Sequence, residues 1–114
     1  MPVAVNTNVQ ANQKCIDSCN RCMQACEQCL SSCLQEPDVQ NRTHCIGLLR
    51  DCADICSIAA RYMSRPSSYA QKLCQLCAEI CEACGGECNR FKDQHCQDCA
   101  HICQECTTMC RQMA

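Results

Sequence analysis

The chain has 114 residues and a net charge of −2, enough for one domain with a modest core, and without the basic excess that nucleic acid or an anionic membrane surface would call for. Hydrophobic residues make up 47%, but 19 of them are cysteine, and with no Trp, one Phe and two Tyr there are few aromatic anchors. No stretch approaches the roughly 20 apolar residues of a membrane span, and if this chain has an interior, cysteine fills it.

Residues 1–14, MPVAVNTNVQANQK, read as an N-terminal extension ahead of one domain over residues 15–114. The extension has neither a basic n-region nor a long apolar run, so it does not read as a secretory signal, and a cytosolic chain is the default expectation. Thiols are kept reduced in that compartment. Nineteen is also odd, so intrachain disulfides cannot pair every cysteine, and three Gly and three Pro are few for a turn-rich disulfide scaffold.

The first predicted element is KCIDSCNRCMQACEQCLSSC. It places Cys15, Cys19, Cys22, Cys26, Cys29 and Cys33 at gaps of four, three, four, three and four. That rhythm is the a/d seam of a helix packed on its neighbours, not the alternation of a strand. QEPDVQNRT comes next, and Pro37 discourages a helix beyond Glu36. The second element, THCIGLLRDCADICSIAARYM, holds Cys45, Cys52 and Cys56 and keeps the seam by substitution, with Leu49, Ala59 and Met63 in phase. In SRPSS, Pro66 is the stop and Ser67 or Ser68 the candidate N-cap of the third helix.

The third element, KLCQLCAEICEACGGEC, carries Cys74, Cys77, Cys81, Cys84 and Cys88. Gly85 and Gly86 cost about 1 kcal/mol each relative to Ala, and either fray its end or admit a neighbouring backbone. NRFKDQ leads to the fourth, HCQDCAHICQECTTMC, with Cys96, Cys99, Cys103, Cys106 and Cys110. Short connections favour antiparallel neighbours, so the predicted fold class is all-α, an antiparallel up-down-up-down four-helix bundle. A second apolar stripe runs beside the thiols: Ile16, Met23 and Leu30, then Leu48, Ile55 and Tyr62, then Leu73 with Ile80, and Ile102 with Met109. It is expected to fill the cracks between helices or a subunit interface.

One or two buried cysteines would be ordinary packing. A sustained seam of them is not, because Ala, Val or Leu would pack there without the oxidation hazard. Six C-x-x-C motifs suggest redox chemistry, but thioredoxin-like enzymes place one such motif at a helix N-terminus after a strand. Metal binding remains, and soft thiolates select Cu(I), Zn(II) or iron–sulfur clusters. Thiols strung along rods do not gather around one compact cluster. A zinc site needs four thiolates and buries a net negative charge. Cu(I) accepts about two or three thiolates, can share them with further ions, and replaces each thiol proton without changing the charge. The seam therefore reads as a rail of soft ligands for multiple Cu(I) ions per chain. A zinc- or cadmium-buffering protein, metallothionein-like in role, is the alternative. No paired acid and base or open mixed-ligand site is visible, so no enzyme is expected.

In-phase C-x₃-C and C-x-x-C stripes on four helices, over residues 15–110, make the chain similar to the cytosolic bacterial copper storage proteins. The resemblance implies a bundle whose lumen is lined by cysteines that bind many Cu(I) ions, with all nineteen cysteines as ligands. It also implies a homotetramer, with copper ions as the partner and neither nucleic acid nor membrane. Near the seam ends, His95 is a candidate uptake ligand and His44 lies equally close to the stripe, while Met63 is either a thioether ligand or a hydrophobic plug. His101 points away from its cysteine stripe, and the Asp, Glu, Lys and Arg residues mostly take outward positions.

Overall fold

The computed structural model describes residues 7–65 and 67–113, with side chains from residue 12 onward. Residues 1–6 of the extension and the expected stop at Pro66 lie outside the described residues. Among the described residues there are four α-helices: α1 (Thr7–Leu34), α2 (Thr43–Ser64), α3 (Ala70–Cys88) and α4 (Gln94–Met113). The extension is thus partly helical, since α1 begins eight residues before Cys15.

α1 packs on α2 and α4, and α3 packs on the same two helices from the opposite side. The start of α1 meets the end of α4 through Cys15 and Cys110, and the end of α2 meets the start of α3 through Met63 and Cys74. At the other end Cys33 meets Cys96 and Cys45 meets Cys88. Those four pairings are the up-down-up-down arrangement.

The ends of the helices obey local chemistry. The last turn of α1 tightens, with Gln35 N–H donating to the Ser32 carbonyl at 3.1 Å and Glu36 N–H to Cys33 at 3.2 Å. A short 3₁₀ helix over Val39–Arg42 then turns the chain into α2. The N-cap of α3 is Tyr69, not Ser67 or Ser68, and it makes no side-chain cap. Ser67 instead accepts the Tyr69 N–H at 3.1 Å, a serine turn one step ahead of the helix.

The seam is the core. Each of the nineteen cysteines is buried, none more than 2% exposed, and Leu49, Ala59 and Met63 continue the buried line on α2 as their phase requires. Ile16 and Ile55 of the second stripe are also buried, and Met23, Leu30, Leu48, Leu73, Ile80, Ile102 and Met109 pack half-buried against the core. A fully buried aliphatic side chain of this size contributes about 1.5–3 kcal/mol, so the flanks supply conventional hydrophobic stabilisation while the axis is left to sulfur.

Small residues set how closely the helices approach. A Cβ on Gly85 would sit 3.2 Å from Cys103 Cβ and 3.4 Å from the Ala100 carbonyl oxygen, so this glycine admits α4. Gly86 faces open space, and the helix runs unfrayed past both to Cys88. Neither glycine has positive φ, so Ala fits both backbones. Gly86→Ala is therefore expected to stabilise the reduced apoprotein by about 0.5–1 kcal/mol in urea denaturation. Gly85→Ala is expected to destabilise it, because Cys103 Cβ cannot move without α4. A gain at position 85 matching that at 86 would show that the close approach carries no packing energy.

Candidate metal centre

The four seams face one another, so their sulfurs stack along the axis. At mid-bundle Cys22 Sγ lies 3.8 Å from both Cys52 and Cys103, and Cys52 lies 3.6 Å from Cys81. Cys81 is 3.6 Å from Cys56, which also meets Cys77 at 3.7 Å and Cys106 at 4.0 Å. From Cys106 the contacts run to Cys19 at 3.8 Å, Cys110 at 3.7 Å beyond it, and Cys15 at 3.8 Å from Cys110. In the other direction Cys103 meets Cys26, and Cys26 meets Cys99, each at 3.9 Å. Such separations are about twice a disulfide bond length, and all nineteen cysteines are free thiols.

Sets of four sulfurs lie within 4.8 Å of one another: Cys19, Cys56, Cys77 and Cys106; Cys22, Cys52, Cys56 and Cys81; Cys22, Cys26, Cys52 and Cys103. Cys22, Cys52 and Cys56 each belong to two of these sets, so the sets cannot all act as separate four-thiolate sites at once. Ions that share sulfurs could fill the whole run.

The ends differ from the middle. At one, Cys15 and Cys110 sit beside Cys74, whose thiol donates to the Met63 thioether at 3.5 Å. At the other, Cys96 lies 3.9 Å from both Cys29 and Cys33, while Cys45 pairs with Cys88 at 3.8 Å. His95 joins this end. Its Nδ1 is 3.4 Å from Cys29 Sγ and 3.5 Å from Cys96 Sγ, and its Nε2 is buried without a hydrogen-bond partner among the described residues. Cys29, Cys33, His95 and Cys96 form a mixed nitrogen and sulfur set. His44, equally close to the seam in sequence, is exposed. His101 is exposed as expected, 2.9 Å from Glu105.

Burial, reinforced by the neighbouring Cys33 sulfur, pushes the Cys96 thiol up to about 12. At mid-lumen Cys103 is pushed above the ordinary thiol range, by its hydrogen bond with Cys22 first and also by burial. Its partner Cys22 is drawn below that range, first by the same hydrogen bond. Cys84 is drawn down to about 6, by Cys103 first and then Cys26. Neighbouring sulfurs thus share protons through their hydrogen bonds, and burial opposes charging them.

One charged residue departs from the outward pattern. Arg42 is only 4% exposed. Its Nε donates to Asp38 at 2.7 Å and its Nη2 to Asp93 at 2.5 Å, with Glu36 at 3.7 Å. Its Nη1 points inward, 3.5 Å from Cys96 Sγ and 3.7 Å from Cys33 Sγ. The guanidinium also stacks over Phe91 at 4.5 Å. The signal was in the spacing: Arg42 stands three residues before Cys45, which stands four before Leu49, so Arg42 extends the seam rhythm of α2 by one step.

An all-α bundle with buried, unpaired thiols in contact along its axis defines a class of protein that could hold several soft metal ions in one lumen. The chain belongs to the copper storage protein family, whose model matches residues 8–114. It is 45% identical over 105 residues to a cysteine-rich protein of Bacillus subtilis (strain 168), covering 92% of this chain and 97% of that one. Among solved structures it is similar to the Cu(I)-bound copper storage protein BsCsp3, at 44% identity and a TM-score of 0.88, covering 91% of this chain and 98% of that one. It is also similar to a cytosolic copper storage protein from Streptomyces lividans loaded with five coppers, at 39% identity and a TM-score of 0.89, with 93% of each chain covered.

Proposed function

We propose that this chain stores copper in the cytosol, holding many Cu(I) ions on the nineteen cysteine thiolates of the bundle over residues 15–114. The observation that carries this reading is the run of free sulfurs from Cys15 to Cys99 at separations of 4.0 Å or less. A mononuclear zinc site wants a private set of four thiolates, whereas these sets overlap, which favours ions that share ligands. His95 adds an imidazole to the Cys29, Cys33 and Cys96 end, and Met63 plugs the opposite one. The ligands are enclosed, none more than 2% exposed, so a substrate would find no open coordination position; the role is storage rather than catalysis. The Bacillus and Streptomyces structures bound copper on the same fold, which supports the assignment. Homotetramer assembly, with copper as the partner, completes the reading.

Loading must displace protons. Cys96, pushed up to about 12, binds as a thiolate only when its proton leaves. Anaerobic loading in weak buffer is expected to release about one proton per Cu(I) near saturation, and the apparent affinity to rise about tenfold per pH unit. A pH electrode and a chelator competition at two pH values measure both. Loading without proton release would mean that the thiols are not the ligands.

A further inference from the structure

The two ends of the lumen are closed by different chemistry. At the Cys74 end the closure is the Met63 thioether, 2% exposed and fixed in the α2 seam. At the Cys33 and Cys96 end it is a cation. Arg42 lies on the 3₁₀ turn, outside α1 and just ahead of α2, so its side chain reaches the lumen from a connection rather than from a bundle wall. Carboxylates hold it from the solvent side: Asp38 on the same turn, and Asp93 immediately before α4. Both carboxylates are partly exposed, whereas the guanidinium between them is not.

We propose that Arg42 is a movable stopper, closing the Cys33 and Cys96 end of the lumen and swinging aside on its connection for Cu(I) to pass. The geometry is that of a latch. One face of the planar guanidinium rests on Phe91, its outer edge is forked between Asp38 and Asp93, and its inner Nη1 donates to the last two sulfurs. An apolar plug would close the channel more cheaply, because burying a cation costs desolvation that its partners must offset. What the charge adds is reversibility. Its carboxylate partners stand at the solvent boundary, so Arg42 can leave the sulfurs without leaving its counter-ions. Cu(I) seeking Cys33 or Cys96 from this end competes for the sulfur lone pairs that Nη1 now engages.

The copper part of this inference rests on the storage reading; the closure itself does not, and reduced apoprotein tests it alone. Brief treatment with N-ethylmaleimide, followed by peptide mass spectrometry, reports which cysteines react first. In Arg42→Ala, Cys33 and Cys96 are expected to react about tenfold faster or more than in the unmodified protein, with Cys15 and Cys110 unchanged. Arg42→Ser likewise removes both the charge and the length that closes this end, is expected to behave as the alanine variant does, and serves if that variant does not fold. Asp93→Asn, which loosens the latch from outside, is expected to move the same two cysteines by less. Loss of the positive charge by itself would favour the unreactive thiol and slow the reaction, so a faster reaction identifies access. Unchanged or slower labelling of Cys33 and Cys96 would overturn the proposal. So would equal acceleration at both ends, which is general loosening, or first reaction in every variant at Cys29 and Cys99, which line a surface groove together with His95. Under the same substitutions, withdrawal of Cu(I) by excess bathocuproine disulfonate should quicken about tenfold while total capacity stays within that of the unmodified protein less the ions held at Cys33 and Cys96.

Discussion

Replacing Cys22, Cys81 and Cys103 together by Ser is expected to lower copper capacity by about a sixth, three of the nineteen thiols, while most of the lumen continues to load. The three lie at mid-bundle, with Cys22 and Cys103 in direct contact and Cys81 bonded to the neighbouring Cys52 and Cys56. A dedicated four-thiolate site would respond otherwise, losing its ion entirely when one ligand is removed. In a lumen of shared sulfurs the neighbours retain other partners: Cys56 keeps Cys77 and Cys106, Cys26 keeps Cys99, and Cys52, which loses both Cys22 and Cys81, stays within 4.8 Å of Cys26 and Cys56.

The same substitution tests how the apoprotein tolerates polarity. A buried hydroxyl without a partner costs about 1–3 kcal/mol, and three such losses would threaten a domain of ordinary stability. The bundle already shows the remedy, since Thr107 donates to the Cys103 carbonyl at 2.8 Å and Ser64 to Ala60 at 2.6 Å. Each introduced serine can bond one turn back in this way, which brings the expected cost to about 1 kcal/mol per site. Metal analysis after gel filtration gives the capacity, and urea denaturation under reductant the stability. His101→Ala is the control. Its side chain is exposed and meets only Glu105 among the described residues, so neither quantity should move measurably. Loss of several ions from that variant would place copper outside the lumen.

Much of this molecule was legible because one periodicity does two jobs. The alternation of three and four positions puts cysteine on the buried face of each helix, and the same phase identifies Leu49, Ala59 and Met63 as core without their being thiols. The paired ends, Cys15 with Cys110 and Cys33 with Cys96, then result from short connections. Periodicity is silent, however, on how far a neighbouring helix reaches. His44 and His95 stand at the same distance from the seam in sequence, yet only His95 meets a sulfur of α1. Gly85 and Gly86 look alike in sequence, and only the first admits Cys103. Arg42 was hidden by a different assumption. Charge usually marks the outward face, and that rule fails where Asp38 and Asp93 offset the desolvation of a buried guanidinium.

On the storage reading, the lumen is shared among many ions rather than divided into a few fixed sites. Charge neutrality allows about one Cu(I) per thiol, and bridging lets each sulfur serve more than one ion. Zinc needs four thiolates per mononuclear site, so it is expected to stop at a handful of ions and to give way to Cu(I). An anaerobic titration of the reduced and of the zinc-loaded protein with Cu(I), against a competing Cu(I) chelator, measures both. Uptake is expected to continue to a number on the order of the nineteen cysteines, with zinc released on the way. Saturation at about one or two Cu(I) per chain, or zinc that Cu(I) cannot displace, would contradict it and leave the thiols to be explained as structure or as a dedicated zinc site.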